Sequence, residues 1–154
     1  MRIAVLAVGR LKERFWRDAA EEYIKRLGPY STLRVVEIAD RDSGRDESRA
    51  LAEEGADIVR ALPDGAHVVA LEIGGKQRSS EEFSAHLDEL GLSGRSSVAF
   101  VIGGSVGLSA EVLARADERM SLGPMTLPHN LARVVLLEQL YRAFRISRGE
   151  PYHK

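Results

Sequence analysis

Apolar residues gather in four runs along the chain, and each run is nearly continuous rather than alternating with polar residues. A continuous run rich in Val, Ile and Leu is typical of a strand that is covered on both faces of a sheet. The pattern therefore predicts buried strands over residues 3–8, 33–38, 67–73 and 97–102.

Between these runs the apolar residues recur every three to four positions, which predicts amphipathic helices. The first helix ends at Gly28-Pro29, and Ser79 and Glu82 have the spacing of a capping box at the start of the third. The predicted helices cover residues 15–27, 46–62, 79 or 80 onward, 109–117 and 130–146. This alternation predicts a single α/β domain over residues 1–154, with a mainly parallel sheet and helices on both faces.

Composition excludes several classes of chemistry. The 154 residues include no cysteine, so the chain has no disulfide, no thiolate nucleophile and no cysteine-bound zinc or iron–sulfur cluster. The four histidines show no metal-ligand spacing, and we interpret His67 and His86 as a strand-edge and a helix-surface residue with no metal. No apolar stretch approaches the roughly 20 residues of a membrane helix and no export signal is present, so we expect a cytoplasmic protein with no membrane partner.

The formal net charge of −1 hides a segregation of charge along the chain. Residues 1–34 carry eight Lys/Arg and four Asp/Glu, residues 35–128 carry nine and seventeen, and residues 129–154 carry five and two. If the two basic ends meet, in one chain or across a dimer, they form a surface for phosphates. The alternative is a set of scattered, solvated arginines.

A glycine-rich turn follows the fourth predicted strand. Its sequence, Gly103-Gly104-Ser105-Val106-Gly107, fits the Gly-x-Ser-x-Gly pattern of serine hydrolases, with His129 or His153 as the base and Asp117 to orient it. Against that hypothesis, the next helix begins near Ser109 rather than directly after the serine. The same turn fits a ligand site at the end of a parallel strand, where glycine allows a ligand to approach the backbone. A side chain at Gly104 is then expected to fill the ligand's space.

An apolar segment that cannot be a regular helix covers residues 122–128, because Gly123, Pro124 and Pro128 interrupt it. We expect it to be buried, so its backbone N–H and C=O groups need partners. The edge of a heterocycle such as adenine supplies them, while Leu122, Met125 and Leu127 cover its faces. A core crossover with water-bound amides is the alternative.

The last four residues, Pro151-Tyr152-His153-Lys154, combine an aromatic ring, an imidazole and a cation. Such a tail offers a ring to stack on a base, a proton-transfer group and a phosphate contact. In the preceding predicted helix, Glu138 and Arg142 are four residues apart in the favourable order.

Across essentially its whole length the chain resembles the ribosomal RNA large subunit methyltransferase H family, in the knotted SPOUT class. The residues that carry the resemblance are Ala7-Val8-Gly9, Glu21-Glu22-Tyr23, the run from Leu71 to Lys76, Ile102-Gly103-Gly104 with Gly107-Leu108-Ser109, Leu127-Pro128-His129, Glu138 with Leu140-Tyr141-Arg142-Ala143, and Pro151-Tyr152-His153 followed by Lys154. The chain departs from the family at Ser105-Val106, where members often carry Pro-Glu.

The resemblance implies a SPOUT-type fold with a C-terminal trefoil knot, although chains generally avoid threading through loops. It implies a homodimer that transfers a methyl group from S-adenosyl-L-methionine to N3 of a pseudouridine in a 23S rRNA stem-loop of the assembled 70S ribosome. The cofactor-binding residues carried over from the family are Leu71, Gly103, Gly104, Leu122, Gly123, Pro124, Met125, Thr126 and Leu127. The residues assigned to catalysis or to the RNA are His129, Glu138, Arg142, Tyr152, His153 and Lys154.

Methyl transfer needs positioning but no metal and no covalent intermediate, so this residue inventory suffices. Arg142 or Lys154 stabilises the anion that develops on the base, and His153 or Glu138 accepts the proton; the sequence leaves both choices open. Two other functions remain as alternatives, the serine hydrolase described above and a non-catalytic module that binds RNA or the ribosome.

Overall fold

A computed structural model describes residues 1–41, 44 and 46–152. Its centre is a five-stranded sheet in which every pairing is parallel, with the strand order β2-β1-β4-β3-β5. The strands are β1 (Arg2–Val8), β2 (Thr32–Ile38), β3 (His67–Gln77), β4 (Ser97–Ile102) and β5 (Glu118–Ser121).

The helices are α1 (Arg14–Leu27), α2 (Glu47–Ala61), α3 (Ser80–Leu92), α4 (Ala110–Arg115) and α5 (His129–Ser147). Side chains cap three of their first turns: Asp46 accepts from the Arg49 amide, Ser79 forms both halves of the predicted capping box with Glu82, and Ser109 caps α4. None of the helices in the described ranges has the length and apolarity needed to cross a membrane.

Helices cover both faces of the sheet, and each face has its own core. On one face, the β1 side chains of Ile3, Val5 and Ala7 pack with residues of α1, α3 and α5. The alternate β1 residues Ala4, Leu6 and Val8 pack on the other face with residues of α2 and α4. This double coverage explains why the strand sequences are nearly continuous apolar runs.

The predicted α/β class, the parallel sheet and the four apolar strands are confirmed. The fifth strand was missed, because β5 has only four residues and two of them are charged. The polar segment between β2 and α2 includes Asp42, Ser43 and Arg45, which lie outside the described residues. The trefoil knot stays a prediction.

Candidate active site

A cleft of about 790 Å³ opens at the carboxyl ends of β4 and β5, beside the middle of β3. Its walls are residues 71–73 of β3, the Gly103–Gly107 turn, the segment after β5 and the first turn of α5. The predicted cofactor residues that line it are Leu71, Gly103, Gly104, Leu122, Gly123, Met125, Thr126 and Leu127. His129, assigned from the sequence to the RNA, also lines this cleft, whereas Pro124 is exposed and does not.

The segment after β5 lines this cleft and contains backbone donors without a partner among the described residues. In the described part of the chain, the N–H groups of Met125, Thr126 and Leu127 donate no hydrogen bond. The Met125 side chain is 82% exposed, and Ile73, which is 57% exposed, also lines the cleft. Unpaired amides can bind the polar edge of a planar heterocycle, and apolar side chains can cover its faces.

The expectation that residues 122–128 are buried is wrong. Pro124, Met125, Thr126 and Pro128 are exposed, and the segment forms the rim of the cleft instead of crossing the core. The segment is exposed because its irregular backbone leaves amides unpaired, and such amides are tolerated where water or a ligand can reach them.

Two glycines in the turn after β4 have different roles. A Cβ on Gly103 would lie 2.4 Å from the carbonyl oxygen of Gly107, so the turn itself requires glycine there. A Cβ on Gly104 would point toward a methyl group of Val8 at 3.0 Å and toward Glu54 at 3.9 Å. The expectation that a side chain at Gly104 fills the ligand's space is therefore wrong in direction, because that side chain would enter the core.

Glu54 of α2 lies beneath this turn and is 2% exposed. Its Oε2 accepts a hydrogen bond from the Arg41 amide over 2.9 Å, whereas Oε1 has no partner in the described part of the chain. Burial raises the pKa of this carboxyl group, and Asp40 adds to the effect. The burial of Glu54 could have been predicted from the sequence, because Glu54 is spaced four residues from both Ala50 and Ile58, which share its buried face of α2.

The hydrolase hypothesis has no support in the geometry. Ser105 makes no hydrogen bond to a described residue, and α4 begins five residues after it. No described residue other than glycine has a positive φ, so the strained turn of a nucleophile elbow is missing. Asp117, the candidate orienting residue, accepts a hydrogen bond from the Val68 amide near the amino end of β3, away from the cleft.

The tail folds back onto α5 and forms a polar cluster that we call the tail cluster, made of Glu138, Arg142 and Tyr152. Arg142 donates to Glu138 Oε1 through Nε at 2.9 Å and through Nη2 at 2.5 Å, and the Tyr152 hydroxyl donates to the same oxygen at 3.2 Å. The Arg142 guanidinium also lies 4.7 Å from the centre of the Tyr152 ring. His153 and Lys154, the other predicted tail residues, lie outside the described residues.

Burial, with the nearby Glu138 charge, raises the pKa of Tyr152 to about 12. The phenol is therefore protonated at neutral pH and acts as a hydrogen-bond donor. Glu138 already accepts from Arg142 and Tyr152 at Oε1 and from Gln139 at Oε2. Neither group is well placed to take a proton from a substrate.

The structure does not bring the tail cluster to the cleft of the same chain. Along α5, Glu138 is nine residues and Arg142 thirteen residues beyond His129, or about 13 and about 20 Å at the helical rise per residue. The tail is anchored near the amino end of β2, where the Tyr30 hydroxyl donates to Glu150 over 2.7 Å. The sequence already held this signal, because a helix predicted over residues 130–146 is too long for both its ends to line one pocket.

His67 begins β3 and His86 lies in α3, as expected of a strand and a helix residue, but nothing in the sequence indicated that both contact Glu118. The Nε2 atom of each lies 2.7 Å from Oε2 of Glu118, and Arg78 donates to Oε1 over 3.2 Å. Burial opposes ionisation of Glu118, but the two imidazole contacts outweigh it and lower its pKa. Three metal-ligating groups thus converge, although Arg78 already supplies the carboxylate with a positive charge.

A family model described as "Predicted SPOUT methyltransferase" matches residues 1–153. Two proteins named ribosomal RNA large subunit methyltransferase H align with this chain over 100% of its length and over 100% of their own. The one from Listeria monocytogenes serotype 4a (strain HCC23) is 52% identical, and the one from Bacillus thuringiensis (strain Al Hakam) is 50% identical.

Solved structures resemble the fold at lower identity. TrmJ from Z. mobilis ZM4 superposes with a TM-score of 0.58 at 16% identity, over 100% of this chain and 73% of that one. A probable methylase family protein from Haemophilus influenzae Rd KW20 gives a TM-score of 0.53 at 16% identity, over 96% of this chain and 66% of that one. At these identities the likeness concerns the fold alone.

Proposed function

The chain belongs to the SPOUT methyltransferase family, and from that premise we propose that it methylates N3 of a pseudouridine in 23S rRNA of the assembled 70S ribosome, with S-adenosyl-L-methionine as the methyl donor. The rRNA substrate is supported by the full-length relatives named as large subunit rRNA methyltransferases. The observation that supports this methyl donor is the cleft itself. It is lined by Met125, Thr126 and Leu127, whose amides have no partner among the described residues, and by apolar side chains near the ends of parallel strands.

When bound, S-adenosyl-L-methionine would supply a methyl group made electrophilic by its sulfonium. The chain's part is to hold the adenine edge on the amides of residues 125–127, with Leu122 and Met125 against its faces. Gly103 keeps the turn after β4 tight enough to leave this space open. The reaction breaks the bond from sulfur to carbon, forms the bond from N3 to carbon and releases the N3 proton.

We assign Arg142 to the anion that develops on the pseudouridine, and Glu138 and Tyr152 to positioning Arg142. Glu138 is surrounded by donors and Tyr152 stays protonated, so the proton acceptor in this proposal is His153. Lys154 would contact a phosphate of the RNA.

This proposal includes a homodimer. Reacting atoms must approach to about 3–3.5 Å, but the cleft and the tail cluster of one chain are separated by about 13 Å or more along α5. A second copy that places its tail cluster at the cleft removes this separation without unfolding the tail. The cytoplasm, where ribosomes assemble, is the corresponding location.

Calorimetric titration with S-adenosyl-L-methionine tests the proposal, followed by methyl transfer to 70S ribosomes that lack the modification. We expect saturable binding and incorporation of one methyl group per ribosome. A non-catalytic RNA-binding module would show no heat with the cofactor. The Ser105→Ala variant distinguishes the hydrolase alternative from the proposed methyltransferase. A hydrolase would lose its activity, whereas a methyltransferase should largely keep it.

A further inference from the structure

A second concave surface lies between the turn after β1, helix α1 and helix α5, with a volume of about 530 Å³. We call it the basic groove. Its cationic lining residues are Arg10, Lys12, Arg17 and Arg133. Two carboxylates, Glu21 and Glu37, also line it, so positive charges exceed negative charges by two.

Arg133 forms a fixed part of this groove. Its side chain is 3% exposed and donates to Glu37 over 2.7 Å and to the Gly9 carbonyl over 2.9 Å. These bonds tie α5 to the carboxyl ends of β1 and β2. Because Glu37 neutralises Arg133, the surplus positive charge of the groove belongs to the other three cations.

Those three cations lie in or beside the turn after β1, and none of them has a carboxylate partner among the residues that the structure describes. Arg17 donates through Nη1 to the carbonyl oxygens of Leu11 at 3.1 Å and Lys12 at 2.5 Å, which fixes the shape of the turn. Arg10 and Lys12 are exposed, and the side chain of neither forms a hydrogen bond or ion pair within the part of the chain that the structure describes. A neutral protein that concentrates unpaired cations in one groove has a surface suited to polyanions.

The basic groove begins beside the cofactor cleft. Arg10 follows Gly9 directly, and a Cβ on Gly9 would lie 4.0 Å from Nε2 of His129, which lines the cleft. Arg133 follows His129 by about one helical turn on α5. A ligand in the groove is therefore adjacent to the place where the methyl group is transferred.

We propose that the basic groove binds backbone phosphates of the RNA strand that carries the target nucleotide, through Arg10, Lys12 and Arg17. This inference rests on the proposed function and adds the surface that sets the register of the substrate. Phosphate contacts fix the position of a nucleic acid without reading its sequence, so the groove holds the nucleotides beside the target. Removal of its free cations then weakens substrate binding and leaves cofactor binding intact.

The test is the double substitution of Arg10→Ala and Lys12→Ala in the full chain. Methyl transfer to unmodified 70S ribosomes is measured at fixed magnesium, with potassium chloride varied from about 50 to about 200 mM. We expect KM to rise at least about tenfold while kcat stays within twofold. We also expect the slope of log affinity against log salt to become shallower by about 1.4, from two lost phosphate contacts at about 0.7 each.

The matched control removes two cations from the opposite face of the sheet, Arg49→Ala with Arg60→Ala on α2. Both residues are exposed, and among the described residues their side chains pair with acidic neighbours on that helix, so KM and the salt slope should stay unchanged. The conservative Lys12→Arg variant should keep the parent KM.

Three results would overturn the inference. The first is an Arg10/Lys12 variant with the parent KM and salt slope. The second is a change in its sedimentation or in its affinity for S-adenosyl-L-methionine, which would make the groove a contact between copies or a structural element. If the parent protein itself binds no cofactor or methylates no ribosome, the proposed function fails and this inference fails with it.

Discussion

Replacement of Gly103 by alanine tests the cofactor cleft where its geometry is tightest. The added methyl group would lie 2.4 Å from the Gly107 carbonyl oxygen and 2.6 Å from its carbon, about 1 Å short of ordinary van der Waals contact. Both atoms belong to the backbone of a turn closed by the bond from the Gly107 amide to the Gly104 carbonyl at 3.1 Å. The turn must therefore open, at a cost of about 1–3 kcal/mol in the free energy of unfolding.

Because the same turn lines the cleft, this movement displaces the cofactor wall by about the same 1 Å, a misplacement that can lower turnover about a hundredfold. We expect affinity for S-adenosyl-L-methionine to fall at least about tenfold, measured by calorimetry beside denaturant unfolding. Gly91→Ala in helix α3 is the control, since its Cβ would lie 3.5 Å from the Met1 side chain, an ordinary van der Waals contact. A Gly103→Ala protein that binds the cofactor within twofold of the parent would refute the role of the turn.

Three further predictions follow from the tail, the dimer and the Glu118 cluster. Deletion of residues 151–154 should leave cofactor affinity within twofold but lower methyl transfer at least about a hundredfold. Retained turnover would show that the tail is not part of the active site. Sedimentation should give about twice 17.0 kDa, and a strict monomer at micromolar concentration would contradict the dimer. Glu118→Gln should lower stability at pH 7 by about 2 kcal/mol. Because the Glu118 pKa is lowered on folding, this difference is present above the ordinary value of 4.5 and should be lost as the pH falls through the lowered pKa. A difference that is independent of pH throughout the acid range would contradict the ion-pair account.

Local sequence predicted most of the fold, because most of its elements carry their own signals. Four strands are apolar runs covered on both faces, and the capping box of Ser79 and Glu82 marks the start of α3 correctly. Strand β5 carries no such signal: its four residues gain their strand conformation from pairing with β3, where Leu71 and Lys76 both pair with Met120 across a bulge. A tertiary contact of this kind has no counterpart in local periodicity.

The candidate site was predicted in composition but not in geometry. Glycines and prolines near residues 103 and 123 correctly indicated an irregular backbone, and the structure places both segments at one cleft, although Pro124 does not line it. The direction of a side chain at Gly104 depends on Val8 and Glu54, which lie far away in sequence, so the turn alone could not supply it. The free cations Arg10 and Lys12 were counted in the basic amino-terminal segment, but only the packing of α1 against α5 places them in a groove.

Helix α5 sets the spacing of the three functional surfaces. His129 in its first turn lines the cleft, and Arg133 about one turn later lines the basic groove. Glu138 and Arg142 of the tail cluster lie about two and a half and about three and a half turns beyond His129. The bonds of Arg133 to Glu37 and Gly9 hold this helix to the sheet, so these spacings do not adjust. In the proposed homodimer, one copy supplies the cofactor and phosphate contacts and the second copy supplies the tail cluster. Loss of the dimer and loss of the tail should then share one defect, low kcat with unchanged cofactor affinity, whereas loss of the groove's free cations should raise KM.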